Sequence, residues 1–194
     1  VDENIALTFT NGTTVNVNVK FTNLTTFTQN SGTTINANAK GCVGGANYVR
    51  PANVSNVCSD DSSTTSYGLG AAGGNHGGRG GSGSTTTASI TTYGSATAPL
   101  LYGSSGGGTN AGTYGSNGGG LVRINASGTV TLNGTISANG NDGRIAAPNA
   151  TGGAAGGSIY ISTPGSLTGS TNGPGTVTTN GTTTLSGSGT TFTP

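Results

Sequence analysis

Ile5, Leu7 and Phe9 share one parity along the chain, with Ala6, Thr8 and Thr10 on the other. Beyond Asn11-Gly12 the alternation resumes, with Val15, Val17, Val19 and Phe21 set against Asn16, Asn18 and Lys20. Period two marks a strand with one buried face. Two such runs around Asn-Gly predict a hairpin or a tight corner, because that dipeptide accepts the positive φ of tight turns. Thr33 to Ala39 alternates more weakly. Residues 1–40 therefore read as an N-terminal β-strand segment.

The pattern stops at residues 41–66, which hold both cysteines, Pro51, Asp60-Asp61 and a run of Ser and Thr. This stretch reads as a loop closed by a Cys42–Cys58 disulfide. Residues 68–120 form a glycine-rich excursion. Gly73-Gly74-Asn75-His76-Gly77-Gly78-Arg79-Gly80-Gly81 cannot make an ordinary helix or buried strand, since glycine loses the most entropy on ordering. Extended polyglycine packing, similar in geometry to polyproline II, is the ordered outcome; a mobile loop is the other.

The last third carries an internal repeat. Gly119-Gly120-Leu121-Val122-Arg123-Ile124 through Thr131 aligns with Gly156-Gly157-Ser158-Ile159-Tyr160-Ile161 through Thr168, placing Val122 with Ile159, Ile124 with Ile161 and Val130 with Leu167. Gly134-Thr135-Ile136-Ser137-Ala138-Asn139-Gly140 likewise aligns with Gly175-Thr176-Val177-Thr178-Thr179-Asn180-Gly181. Short strands bounded by Gly and Asn-Gly predict an all-β chain. Its fold would be a glycine-rich parallel β-solenoid, β-helix-like, over 41–194 behind the N-terminal strands. A β-sandwich is the alternative.

Composition narrows the class. Charged residues are 6% and hydrophobic ones 30%, while glycine supplies 39 of 194 positions. An ordinary two-layer core needs more apolar area, so backbone ladders must supply much of the cohesion. Disordered chains usually carry high net charge and few β-branched residues; here the formal charge is +1 and Thr, Val and Ile abound. No Lys/Arg cluster offers a nucleic-acid footprint, and no apolar run approaches the ~20 residues of a transmembrane helix. No signal peptide opens the chain, and a start at Val1 fits an exported protein from which one has been removed. An even, minimal cysteine count without metal-ligand spacing points to the disulfide. Its loop of 15 intervening residues would add about 3 kcal/mol in the chain-entropy account. Asn11, Asn23, Asn53, Asn125, Asn133, Asn149 and Asn180 each begin an N-x-S/T triplet and are candidate glycosylation sites of a secreted glycoprotein, although so much Ser and Thr supplies several such triplets by chance.

Several phrases, in this order, resemble glycine-rich β-solenoid modules of large bacterial and archaeal cell-surface proteins. They are Asn75-His76-Gly77-Gly78-Arg79-Gly80-Gly81, Tyr93-Gly94-Ser95 with Pro99, Gly103-Ser104-Ser105-Gly106-Gly107-Gly108, Gly118-Gly119-Gly120-Leu121-Val122-Arg123-Ile124, Gly134 to Gly140 and Ala155-Gly156-Gly157-Ser158-Ile159-Tyr160-Ile161. The resemblance spans roughly residues 68–181 and implies secretion and a structural or adhesive role, with no catalytic residue. The chain departs from it by being short and by its N-terminal strands, as a self-contained subunit would.

Catalysis is hard to staff. The acids are Asp2, Glu3, Asp60, Asp61 and Asp142, and a glycosidase needs two carboxylates facing each other across a sugar; Asp60 and Asp61 are adjacent and point apart on an extended chain. His76 stands without a second histidine for a metal site and reads as a hydrogen-bonding spacer between glycine-rich segments. The glycine run lacks the Lys-Ser/Thr ending of a phosphate loop. Tyr93, Tyr102 and Tyr114 are candidates for stacking on sugars or for rim packing. The chain is thus expected to be no enzyme and to use no cofactor and no metal.

The leading expectation is an extracellular, pilus-like subunit that polymerises with itself into a filament or surface layer by strand addition. The candidate contact strands carry Ile5, Leu7, Phe9, Val15, Val17, Val19 and Phe21. The alternative is an adhesin binding a receptor or surface glycans, of viral tail-tip or cell-surface type. Adhesins of packed polyglycine helices need many long parallel glycine runs, and this chain has few. Ice binding, the third reading, wants regular Thr-x-Thr arrays, to which Thr22–Thr28 and Thr176–Thr184 conform only in part.

Overall fold

The computed structural model describes residues 5–44, 72–78, 80–82, 92–108, 115–144 and 150–169. These form nine strands and no helix: β1 (Ile5–Phe9), β2 (Thr14–Val15), β3 (Val19–Gln29), β4 (Thr34–Asn36), β5 (Leu121–Ala126), β6 (Val130–Leu132), β7 (Thr135–Ser137), β8 (Ser158–Ser162) and β9 (Leu167–Gly169). Every pairing among them is parallel. The chain is all-β, with one six-stranded and one three-stranded sheet.

The pairings arrange the strands in four tiers. β1 and β2 lie on β3 and β4; β3 lies on β5 and β6, and β4 on β7; β5 and β6 lie on β8 and β9. The N-terminal strands therefore share both sheets with the glycine-rich part of the chain. The hairpin expected around Asn11-Gly12 does not form; the corner does. Thr13 N–H donates to Thr10 O at 3.1 Å and Gly12 has φ 83°, a backbone conformation that costs glycine nothing. The same corner recurs at Asn30-Ser31-Gly32-Thr33, where Gly32 has φ 73°. β2 leaves β1 for the other sheet because both find partners an even number of residues later, in strands of matching pattern: Phe9 opposite Gln29 and Thr14 opposite Thr34. In-register parallel stacking then keeps the inward parity inside, with Gln29 standing between Phe9 and Leu132.

The internal repeat is the register of the third and fourth tiers. Val122 pairs with Ile159, Ile124 with Ile161 and Val130 with Leu167, the correspondences read from the sequence. Its second half, Gly175 to Gly181, lies outside the described residues. Apolar columns run up the stack, such as Leu7–Phe27–Val130–Leu167 and Phe21–Ile124–Ile161. Phe27, Ile35, Val122, Ile124 and Val130 are fully buried. Phe9, Phe21 and Phe27 meet with centroids 5.7–5.9 Å apart, a geometry worth roughly 0.5–1.5 kcal/mol per pair beyond burial. A small greasy core thus exists, concentrated in three of the four phenylalanines.

Beside it the glycine-rich segments pack in a different way. Residues 103–108 are neither strand nor helix, yet bond laterally to four neighbours. Cys42 N–H donates to Gly103 O (3.1 Å), Gly107 N–H to Ala72 O (2.8 Å), Gly106 N–H to Ser116 O (3.0 Å) and Ala155 N–H to Ser104 O (3.0 Å). A strand has two lateral directions only. Four neighbours require a backbone that turns its amides about its axis, as the three-residue turn of polyproline II does. The bonding has that period: residues 103 and 106 donate to 119 and 116, and residues 104 and 107 accept from 155 and 152. Residues 138, 141 and 144 accept from 157, 154 and 151 in the same way. The descending partner numbers make these pairs antiparallel. These segments therefore bond with the three-residue period that polyglycine packing, one of the two outcomes open from the sequence, would give. Glycine is required because there is no room for a Cβ: one on Gly118 would overlap Gly103 O, and one on Gly115 would overlap Gly106 O.

Gly118→Ala is expected to lower stability by about 1–3 kcal/mol, as overpacking does. Gly77→Ala, whose Cβ would meet nothing within 4 Å, should stay within roughly 0.5 kcal/mol of the parent, as exposed substitutions do. Thermal melts of the two variants check the contrast; equal Tm values would refute it.

Candidate functional site: tier edges and the His76 clasp

The first tier leaves an edge. Among the described residues β1 pairs with β3 alone, and at the other end β8 pairs only with β5 and β9 only with β6. The candidate contact residues divide. Phe9 and Val19 are buried; Leu7, Val15 and Phe21 pack against the core; Ile5 and Val17 are 52% and 51% exposed. Their side chains therefore mostly hold this chain together, and what the edge offers a neighbour is backbone. Asn30 N–H donates to Phe9 O, so residues of Phe9's parity aim their amides at β3. Ala6 and Thr8, of the opposite parity, aim theirs away from it.

A second constellation lies on the glycine bundle. His76 Nδ1 is 2.8 Å from Gly156 O, which accepts its hydrogen. The ring lies 4.8 Å from that of Tyr93, whose hydroxyl donates to Tyr102 O at 2.5 Å. Ser104 Oγ donates to Asn75 O, and buried Asn75 accepts from Gly80 N–H through Oδ1 at 2.6 Å. These contacts clasp residues 92–108 onto residues 72–78, 80 and 150–157, so His76 links glycine-rich segments as a spacer would. Burial holds the His76 pKa below its ordinary 6.5, opposed by the bond to Gly156; burial also pushes Tyr93 up, opposed by its bond to Ser104. Tyr93 and Tyr102 are half-buried; Tyr114 lies outside the described residues.

The other sequence candidates scatter. Asn11 and Asn23 are exposed, whereas Asn125 and Asn133 are half-buried; Asn53, Asn149 and Asn180 lie outside the described residues. Cys42 is buried, and its expected partner Cys58 lies outside. Of the acids only Asp142 is described, and no group of three metal-ligating side chains gathers among the described residues. No helix among them is long and apolar enough to cross a membrane.

Sequence reasoning missed the asparagines that lock the tiers. Asn18 Nδ2 donates to Lys40 O and its Oδ1 accepts from Leu121 N–H, both at 2.9 Å. Asn38 Oδ1 accepts from Asn139 N–H at 2.6 Å. The signal was present: Gly12-Thr13-Thr14-Val15-Asn16-Val17-Asn18 repeats as Gly32-Thr33-Thr34-Ile35-Asn36-Ala37-Asn38.

Because the folded chain holds His76 neutral more strongly than the unfolded chain does, its contribution is full above pH 6.5 and is lost as pH falls through the depressed folded value. Melts between pH 8 and 4 should show this acid loss, and His76→Gln should flatten it; an unchanged profile in the variant would reject the clasp. The disulfide expectation is checked by the intact mass before and after reduction, reduction also lowering Tm if Cys42 and Cys58 pair. No protein-family model, no curated protein and no solved structure matches this chain.

Proposed function

We propose that this chain is a secreted structural subunit whose stacked tiers form a β-solenoid that continues from one molecule into the next, building a filament or surface layer. The observation that carries this reading is the stack's parallel order with, among the described residues, a strand edge at each end. β1 at one end and β8 and β9 at the other run in the same sense, so a translated copy can add its edge in the parallel pairing already used within the chain. Such a contact is heterologous and does not close, which yields a fibre. Natural edges are usually blunted by Lys, Pro or a covering element. β1, Ile-Ala-Leu-Thr-Phe, contains no charge and no proline.

One observation favours the second reading, a receptor- or glycan-binding adhesin of cell-surface or viral tail-tip type. The glycine segments, sparse by sequence count, bond laterally with a three-residue period, as a platform of polyglycine helices displaying loops would. A glycan array or cell-binding assay separates this reading from the first.

The edge is the place to test the first. Ala6→Pro removes an amide that faces away from β3 and leaves the bonds to β3 intact. The parent should form fibres visible by negative stain, and Ala6→Pro should remain monomeric with an unchanged circular dichroism spectrum. A parent that stays a monodisperse monomer at high concentration, or fibres undiminished by Ala6→Pro, would reject assembly through this edge.

A further inference from the structure

The structure separates the N-x-S/T triplets by how their asparagines are held, and one stands apart. β3 carries a bulge: Phe21 lies opposite Ile124 and Leu24 opposite Ala126, so Thr22 and Asn23 together face the single residue Asn125. A bulge of this kind re-aims a side chain that alternation would have placed differently. Here Thr22 and Asn23 are consecutive and both exposed, while Leu24 returns to the core at 6% exposure. Asn23 sits at φ 59°, the left-handed region that asparagine enters more readily than most residues. Ile5 pairs with Leu24, so among the described residues β1 gives Asn23 no strand partner.

The other described triplets are held otherwise. Asn125 lies within β5, half-buried, and its Oδ1 accepts from Arg123 Nε at 3.2 Å. Asn133 is half-buried in a corner stacked on Gln29, to whose carbonyl its N–H donates at 2.7 Å. Asn11 is exposed, but its amide lies over Gly32 of the next tier, where a Cβ would overlap Oδ1. A graft at Asn125 would give up the contact with Arg123, and one at Asn133 would start from a half-buried corner; of the three, Asn23 is the exposed one.

We infer that Asn23, presented by the β3 bulge, is an N-glycosylation site of this protein, and that Asn125 and Asn133 are not. The donor class is an oligosaccharide linked to a lipid diphosphate. The Asn23 carboxamide nitrogen bonds to the anomeric carbon, the bond from that carbon to the diphosphate oxygen breaks, the lipid diphosphate leaves with the electron pair, and the nitrogen gives up one proton. Thr25 supplies the hydroxyl of the triplet. In a chain with 6% charged residues, a glycan here would hydrate the surface beside the β3 bulge. The inference rests on export of the chain, not on its assembly.

Peptide mapping of the exported protein tests it. Trypsin releases residues 21–40, whose one triplet is at Asn23, separately from residues 124–144, which hold Asn125 and Asn133. The first peptide should carry a glycan mass that N-glycosidase removes, and the second should be bare. Thr25→Ala should abolish the modification while Asn23 and the bulge remain, and Thr25→Ser should retain it. A bare Asn23, or a glycan on Asn125 or Asn133, overturns the inference. Either result leaves the fibre test unaffected, since that test reads Ala6→Pro.

Discussion

Lateral hydrogen bonding between extended segments is the constraint on which this structure depends. The chain has too few apolar residues to be held by a core alone, so its amides and carbonyls must find partners in neighbouring segments. It does this in two geometries. Where side chains alternate, segments pair as parallel strands and the apolar parity closes over the phenylalanine cluster. Where glycine dominates, segments come closer, turn three residues per repeat and bond to several neighbours at once. The two meet without interruption: Gly120 N–H donates to Ala37 O and Ser158 N–H to Gly120 O, so the glycine segments hand their register directly to β5 and β8.

That continuity explains the side chains at the joints. Asn18 and Asn38 carry both a donor and an acceptor on a short stem, and each stands where a strand ends and the next tier's backbone would otherwise lack a partner. Gln29 serves a corner in the same way: fully buried between Phe9 and Leu132, its Nε2 donates to Thr135 O at 3.0 Å. His76 does so for the bundle. Polar side chains here act mainly as stitches between backbones, which is why no cluster of reactive groups emerges from the described residues.

Backbone cohesion also leaves consequences at the surface. A stack of parallel tiers has ends by construction, and strand ends are adhesive unless blunted. Its flanks can bear bulk where a bulge turns a side chain outward, as at Asn23. The proposed assembly would use the strand edges and the proposed modification the β3 bulge.

Much of this was legible in the amino-acid order. Period-two alternation marks the strand at Ile5–Phe9, because only an extended backbone puts alternate residues on one face, whereas the second alternating run, Val15 to Phe21, is divided between β2 and β3 in different sheets. The repeat linking Val122 with Ile159 and Val130 with Leu167 determines which residues become neighbours, because in-register stacking sets like on like, even where one of the pair, Ile159, stays exposed. Gly-x-x-G spacings, as at Gly103 and Gly106 or Gly115 and Gly118, carry the three-residue period of the bundle. Tertiary structure alone decided that Asn11-Gly12 turns a corner rather than closing a hairpin. Either outcome suits the dipeptide, and the choice depends on partners arriving from a distant part of the chain. The same holds for the separation of Asn23 from Asn125. Their triplets are alike as sequence, and only the pairing of β3 with β5 exposes one and packs the other.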